Sequence, residues 1–391
     1  MGYSVAVSVA LGVIIARMLG PSLFGTYSVL VTFGAMVLIL QDGGFKTLLY
    51  RESVHPTDRH LANVPNVYAV ALGHVVKISL LVLLVCLALS KPFSYIVTTV
   101  CFAGFAVVQF SSAMLRGEGR FGVEALWQVG YRTATILLLL GLLLNGFRQP
   151  WQIICALGIV YIVFCFYFVR CRKFKITLKF DGGYYRAVLP ILCIDILVVI
   201  YFRCDILLME FYGFRPADIG SYTAAFKIIE AFNLIVAPVM IVFFGWVRKQ
   251  AHDGLVITRA LIGQCSLAVV LSILILLSLL NYSSEILNFV FGQIYFPAAK
   301  FLNILAWAIP FLFVNALLMQ IALAFNGQTV LAIIVAITAI FNLGCNFVFL
   351  PNYGPAAASL VTVLTEILLS FLLFLWFATK KKFVLPLRKT E

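Results

Sequence analysis

Long apolar runs recur along the whole chain, each close to the length that a helix needs to cross a membrane. A transmembrane helix takes ~20 mostly apolar residues. Hydrophobic residues make up 63% of the 391 residues and charged residues only 11%. Polar side chains cannot cover so much apolar surface in water, and a removable signal peptide would explain only one run. The chain is therefore predicted to be an all-α polytopic membrane protein.

Twelve spans are predicted, separated by turn-forming residues. The breaks include Gly20-Pro21, Lys91-Pro92, Gln149-Pro150 and Asn326-Gly327, and such dipeptides interrupt helices. The expected spans are 2–19, 23–42, 67–89, 93–115, 123–145, 150–169, 184–210, 217–246, 255–281, 297–325, 328–350 and 353–378. The first span begins almost at Met1 with no basic residue ahead of it. Either this span is short or the natural start lies upstream.

Lys and Arg concentrate in the even-numbered loops and in the C-terminal tail. The loop at 170–179 alone contains five of them. This bias predicts that both termini lie in the cytoplasm. It also accounts for most of the net charge of +13, so the charge does not indicate a nucleic-acid partner. The nine Cys and four His show no metal-ligand spacing, and no disulfide, metal or cofactor is predicted.

A short motif occurs twice, about half a chain length apart. Phe24-Gly25-Thr26-Tyr27 and Ile219-Gly220-Ser221-Tyr222 are 195 positions apart, and each follows a turn that contains Gly or Pro. Six predicted spans separate the copies, so both halves would have the same orientation. This favours an internal parallel repeat of two six-helix lobes. The alternative is that Gly-x-Tyr is a common interfacial turn and that the match arose by chance.

Longer stretches resemble a known family. The opening "IIARMLGPSLFGTYSVL", followed by "QDGGF", leads to "YFRCDILLMEFYGFRPADIGSYTAAFKIIEAFNLIVAPVM" in the middle. The last third contains "FGQIYFPAAKFLNILAWAIPF" and then "FNLGCNFVFLPNYGPAAASLVTVLTE". In this order and spacing the chain resembles the polysaccharide-exporter family, the oligosaccharide (O-antigen type) flippases. That family shares a superfamily with multidrug and toxin extruders and lipid II flippases.

The resemblance implies a transporter rather than an enzyme, with lobes at 1–183 and 184–391 around a V-shaped cavity. Its implied substrate is a polyprenyl-diphosphate-linked oligosaccharide. The repeat unit would cross the cytoplasmic (inner) membrane by alternating access, for O-antigen, capsule or exopolysaccharide synthesis. The implied partners are the lipid bilayer, a polysaccharide polymerase and a chain-length regulator. Gly34, Pro190 and Pro238 are candidate bending points, since Gly and Pro loosen helices, or else sites of ordinary close packing.

Ionisable side chains inside the predicted spans are the candidate site residues, because each costs ~2.5–3.5 kcal/mol on insertion scales. A diphosphate needs a cationic path, in which Arg binds phosphate bidentately and Lys binds it as a point charge. The substrate-binding candidates are Arg17, Lys77, Arg132, Arg203 and Lys227. The candidates for ion coupling or charge balance are Asp42, Asp195, Asp205, Glu230 and Glu366.

These candidates also have ordinary structural interpretations. Lys227 and Glu230 are three positions apart on one helix face, so they can neutralise each other. Arg203 and Asp205 are two apart and do not face each other, so each needs another partner. Side chains near span ends, such as that of Arg17, can reach the interface.

Two other functions stay open. A multidrug-type small-molecule antiporter on the same fold would have a carboxylate-dominated cavity and cation coupling. A membrane enzyme, such as a sugar-repeat polymerase or ligase, would place catalytic Arg or His on a sizeable external loop. The predicted external loops are short except around 281–296, and they hold no His. The sequence has no nucleotide-binding motif of the GxxxxGK[ST] type.

Overall fold

A computed structural model describes residues 2–54, 64–252, 259–325 and 327–379. Side chains at 2–8, 201–202, 233–238, 241, 250–252 and 259–265 lie outside the description. This part of the chain is almost entirely helical. The helices are α1 (Gly2–Asp42), α2 (Phe45–Val54), α3 (Val64–Ala88), α4 (Phe93–Gly117), α5 (Phe121–Leu144), α6 (Pro150–Arg172), α7 (Gly182–Phe211), α8 (Pro216–His252), α9 (Arg259–Phe291), α10 (Ala299–Ala306), α11 (Ala308–Ala324), α12 (Gln328–Tyr353) and α13 (Pro355–Thr379). A 3₁₀ helix, Gln293–Ala298, precedes α10.

Each of the twelve predicted spans coincides with a helix, part of a helix, or a bent helix pair. Among the described residues, nine helices are long and apolar enough to cross a membrane. They number ten if the segment Gln293–Ala306 and α11, bent by 46°, form one span. The prediction of an all-α multi-pass membrane protein is confirmed.

Two helices are kinked where the chain leaves helical geometry. Gly20 has φ 70° and ψ 171° in the middle of α1, a conformation that glycine adopts without steric cost. Pro21 follows, and proline suits the first turn of the new helix because its missing N–H would have no partner there. This break confirms the predicted separation of the first two spans. In α9 the chain leaves helical geometry at Tyr282, one residue after the predicted span end at 281, and a helix then continues to Phe291.

The helix α2 was not predicted. It is too short and too polar to register as a span. Its apolar residues Phe45, Leu48 and Leu49 are fully buried, at the i, i+3, i+4 spacing of one helix face. They pack on α3 and α4. The segment after "QDGG" is therefore fixed against the spans rather than forming an open loop.

The chain divides into two compact units. The first comprises Met1–Leu19 and Thr26–Val199, and the second comprises Gly20–Gly25 and Ile200–Glu391. In the first, α4 packs on α2, α3, α5 and α6, around buried residues that include Tyr68, Phe110 and Trp127. In the second, α13 packs on α10, α11 and α12, and α8 packs on α10 and α11. The lobe boundary at 183 and 184 stays a prediction.

The candidate bending points differ in their surroundings. A Cβ atom added at Gly34 would lie 2.6 Å from Cζ of Phe102, so close packing explains this glycine. Pro190 lies inside the helix α7. Pro238 lies in α8, but its side chain is outside the description, as is the basic tail from 380 onward.

Candidate functional site

The two copies of the repeated motif begin helices in the same way. A new helix starts at Pro21 after the break in α1, and α8 starts at Pro216. Gly25 and Gly220, each four residues after its proline, contact each other through the backbone. A Cβ atom added at either glycine would lie 2.9 Å from the backbone nitrogen of the other. It would also collide with the carbonyl oxygen of the other copy's proline.

Three candidates of the second unit form an ion triad. Arg203 Nη2 lies 2.8 Å from Glu230 Oε1, and Lys227 Nζ lies 3.2 Å from Glu230 Oε2. The three side chains are 27–33% exposed, so solvent or a ligand can reach them. Lys227 and Glu230 pair, as their spacing allowed. Arg203 forms its ion pair with the same Glu230 rather than with Asp205, which is two residues away in sequence. With two cations and one carboxylate, the triad carries a net charge of +1.

Asp205 lies in a different environment from its neighbour Arg203. Tyr222, the last residue of the second motif copy, donates a hydrogen bond to Oδ2 of Asp205. The backbone N–H of Ile206 donates to Oδ1 at 2.8 Å. Both Asp205 and Tyr222 are buried. The motif therefore helps to hold a buried carboxylate as well as to start α8.

Cys204, the residue before Asp205, begins a chain of hydrogen bonds that includes two amides and a hydroxyl. Cys204 Sγ donates to Oδ1 of Asn342 at 3.3 Å, and Asn346 Nδ2 donates to the same oxygen at 3.0 Å. Asn342 Nδ2 donates to Thr365 Oγ1 at 3.0 Å. Oδ1 of Asn346 is buried without a hydrogen-bond partner. Of the two amide oxygens, Oδ1 of Asn342 thus accepts two hydrogen bonds and Oδ1 of Asn346 accepts none.

Glu366 is the most fully enclosed of the carboxylate candidates in the second unit. It is 4% exposed. Asn315 Nδ2 donates to its Oε2 at 2.7 Å, and Ser370 Oγ in turn donates to Oδ1 of Asn315 at 2.7 Å. These contacts join α11 to α13 through a buried polar network, which is a structural role for Glu366.

Arg132 belongs to a polar face along α5. Its Nε donates to Oε1 of Gln128 at 3.3 Å, and Gln128 Nε2 donates to Oε1 of Glu124 at 3.1 Å. The spacing of four residues places all three on one side of the helix. Ser112 of α4 donates to Glu124 at 2.5 Å. Arg132 is half-buried, and its guanidinium lies 5.5 Å from the ring centre of Tyr131.

Lys77 ends a hydrogen-bonded chain that crosses three helices. Its Nζ donates to the hydroxyl of Tyr185 at 2.9 Å. That hydroxyl lies 3.2 Å from Nδ1 of His74, and Nε2 of His74 lies 2.9 Å from the carbonyl oxygen of Leu40. A carbonyl only accepts, so Nε2 carries the proton and Tyr185 donates to Nδ1. His74 thereby satisfies a carbonyl at the C-terminal end of α1.

The remaining candidates lie in the first unit, Arg17 and Asp42 near helix ends and Asp195 in the middle of α7. Asp42 is buried, and its Oδ1 accepts the backbone N–H of Lys46 at 2.9 Å, which helps to start α2. Asp42 and Asp195 interact electrostatically with each other, and both interact with Lys46. Arg17 is exposed on the first part of α1. Asp42 and Asp195 thus share one cation, whereas Arg17 and Arg132 belong to other parts of the molecule.

Several polar partners of these candidates escaped the sequence analysis, which considered only ionisable groups. They are Gln128, Tyr185, Asn315, Asn342 and Asn346. Asn342 and Asn346 do give a sequence signal, because two amides four positions apart inside an apolar span must bond to each other or to another helix. Gln128 gives the same signal with Glu124 and Arg132.

No family model matches the chain, and no curated protein matches it in sequence. Solved structures do match its fold. The lipid II flippase MurJ in an inward closed conformation aligns with a TM-score of 0.79 and 14% identity, over 98% of this chain and 87% of that chain. An inward-facing multidrug resistance MATE family transporter of the MOP superfamily aligns with a TM-score of 0.71 and 14% identity, over 95% and 93%.

A third match is a MOP superfamily transporter from Pyrococcus furiosus. The reverse polarity of its binding pocket is said to suggest a different function for that protein. Its TM-score is 0.55 at 13% identity, over 96% of this chain and 92% of that chain. These similarities extend over nearly the whole chain, and they establish the fold. The protein is a multi-pass membrane protein that shares its fold with MurJ and MATE transporters.

Proposed function

We propose that this protein is a flippase for polyprenyl-diphosphate-linked oligosaccharides. It would carry the repeat unit of a surface polysaccharide across the cytoplasmic membrane by alternating access. The shared fold with a lipid II flippase supports this proposal, since that protein's named cargo is a lipid.

The observation that carries the proposal is the Arg203–Glu230–Lys227 triad, in which two cations share one carboxylate. Asp205, which interacts electrostatically with Arg203, is the next carboxylate. The three side chains of the triad are partly exposed within predicted spans and carry a net charge of +1. An unbalanced cation inside a membrane is costly unless it faces a cavity or an anion. A diphosphate supplies such an anion, with Arg as a planar donor and Lys as a point charge.

Arg132 supplies a second cation in the other unit. Gln128 fixes one edge of its guanidinium through Nε, which orients the group. We assign it to diphosphate or sugar recognition, together with Lys77 and Arg17. Gln128 and Glu124 add an amide and a carboxylate on the same face, and sugar hydroxyls bond well to both kinds of group.

Asp205 is proposed as the group that couples transport to an ion gradient. It is a buried carboxylate whose sequence neighbour Cys204 contacts Asn342, beside the unpartnered amide oxygen of Asn346. A carboxylate in such surroundings favours a bound proton or small cation, because an isolated buried charge is costly. Asp205 also accepts hydrogen bonds from Tyr222 and Ile206, so its assignment rests on its burial and on its place next to Cys204. Asp42, Asp195, Glu230 and Glu366 are assigned to charge balance.

A multidrug-type antiporter is the second candidate. Buried carboxylates at Asp42, Asp205 and Glu366 and the fold match to a MATE transporter favour it. A cationic drug would require a negative binding site, whereas the partly exposed triad is positive. This difference in sign favours the anionic cargo.

Complementation separates the two functions. The gene is expressed in a strain that lacks its oligosaccharide flippase and produces no surface polysaccharide, and in a strain that lacks its multidrug extruders. We expect surface polysaccharide to return in the first strain and no drug resistance in the second. Resistance without polysaccharide would overturn the flippase proposal in favour of the antiporter.

A further inference from the structure

The segment between α6 and α7 has a fixed path although it contains no helix. The backbone N–H of Thr177 donates to the carbonyl oxygen of Ala69 on α3 at 3.1 Å. Gly73 allows this approach, since a Cβ atom there would lie 2.8 Å from the carbonyl carbon of Thr177. Aromatic stacking fixes both ends of the segment. The ring centres of Phe174 and Tyr68 lie 4.3 Å apart, and those of Phe180 and Tyr185 lie 4.6 Å apart.

Apolar and basic side chains alternate along this segment. Ile176, Leu178 and Phe180 are 58%, 60% and 74% exposed. Lys175 precedes Ile176, Lys179 lies between Leu178 and Phe180, and both lysines are exposed as well. Exposed apolar and basic side chains are therefore neighbours along a segment that contains neither helix nor strand. Such a surface suits a bilayer interface, where acyl chains and headgroups meet.

The exposed cations of the segment form no ion pair with other described residues. Arg172 is paired, because its Nη2 lies 2.7 Å from Oε2 of Glu118. Among the described residues, no ion pair involves the exposed cations Arg170, Lys175 or Lys179. The nearby carboxylate of Asp181 accepts the backbone N–H of Gly183 at 2.9 Å at the start of α7. These exposed cations are therefore accessible to an external anion.

We propose that the segment 170–180, the α6–α7 strap, is a binding site for anionic phospholipid headgroups. Arg170, Lys175 and Lys179 contact the phosphates, and the side chains of Ile176, Leu178 and Phe180 lie against the acyl chains. Clusters of Lys and Arg next to a membrane span attract anionic lipids. Because the strap is fixed to α3 and α7, a bound lipid also links the ends of those helices.

Native mass spectrometry of the purified full-length protein tests the site with phosphatidylglycerol and phosphatidylcholine as probes. We expect wild type to prefer phosphatidylglycerol by at least about five-fold, the effect of one cation near an anionic surface. R170Q/K175Q/K179Q should bring the preference close to one. The matched control K91Q/R148Q/R215Q removes three exposed cations from other loops and should keep it. An unchanged preference in R170Q/K175Q/K179Q, or an equal loss in the control, would overturn the proposal.

A second pair of measurements does not depend on the folding of the neutralised variant. K175R/K179R keeps the charge and should retain the preference for phosphatidylglycerol. For wild type, the preference should fall as ionic strength rises, since salt screens exposed charges. Loss of the preference in K175R/K179R, or its insensitivity to salt, would contradict the site. A strap that binds an acidic protein instead would give purified protein with no preference for phosphatidylglycerol, which also overturns the proposal.

Discussion

Gly25 and Gly220 touch through their backbones, and each occupies the place that a side chain of the other would need. The contact is reciprocal, with the same 2.9 Å spacing from each added Cβ atom to the opposite backbone nitrogen. We predict that Gly25→Ala and Gly220→Ala both lower the free energy of unfolding and impair transport to a similar extent. Over-packing costs ~1–3 kcal/mol, and rigid backbone atoms cannot move aside as a side chain can. Thermal unfolding in detergent and a complementation assay measure the two effects.

Gly245→Ala is the matched control, because it lies on α8 with nothing within 4 Å of an added Cβ atom. It should be neutral or slightly stabilising, since alanine favours helix more than glycine does. If Gly220→Ala were harmless while Gly25→Ala was not, the two copies of the motif would not be structural equivalents.

The ion triad predicts an asymmetry between Lys227 and Glu230. Lys227→Met leaves Glu230 paired with Arg203 at 2.8 Å, so the variant should fold normally. The net charge of the triad falls from +1 to zero in this variant, and we expect transport to fail. Glu230→Gln leaves both cations without a carboxylate and should be less stable, by less than the ~3–5 kcal/mol of a fully buried pair because the group is partly exposed.

Thermal stability and surface polysaccharide are measured for both variants of the triad. Full complementation by Lys227→Met would remove Lys227 from the substrate path. Equal stability losses in the two variants would show that Arg203 does not keep Glu230 paired.

The sequence was sufficient to predict the spans, because a membrane demands ~20 apolar residues for each helix. It also identified the break at Gly20-Pro21 and the equivalence of two motif copies far apart in the chain. It failed at α2, whose stability comes from the burial of Phe45, Leu48 and Leu49 rather than from its composition. It placed a span end at 281, beside the kink at Tyr282, but did not predict that a helix continues from there to Phe291.

Within the candidate site, sequence spacing predicted contacts only along one helix. The pair of Lys227 and Glu230 lies three residues apart and was foreseeable. The bonds from Arg203 to Glu230 and from Tyr222 to Asp205 join different helices. They depend on how α7 packs on α8, which residue spacing along one chain does not determine.

Asp205 should be required for ion-driven transport. Asp205→Asn keeps the side-chain volume and can still accept the hydrogen bond from Tyr222, but it removes the charge. We expect a folded protein whose transport no longer responds to a sodium or proton gradient in proteoliposomes. Glu366→Gln is the control, because Glu366 is held by Asn315 in a structural network. Gradient-driven transport that survives in Asp205→Asn would assign the coupling to another residue.

The basic loops predict the orientation of the chain. Tags inserted at 174–179 and at the C-terminus should both be cytoplasmic, and a tag at 145–149 should be external. Protease accessibility in intact cells and in inverted vesicles reports the side of each tag. An external C-terminus would contradict the even number of spans, and with it the parallel repeat.

The most direct test of the flippase account is lipid translocation by the purified protein. The protein is reconstituted into proteoliposomes with a labelled polyprenyl-diphosphate-linked oligosaccharide, and exposure of the sugar to an external lectin is followed over time. We predict that wild type translocates the lipid and that Arg132→Gln lowers the translocation rate by about ten-fold or more. Arg132→Lys should retain part of the rate, because a point cation still binds phosphate without the planar fork of Arg. No translocation by wild type, together with uptake of a cationic drug by the same vesicles, would contradict the account.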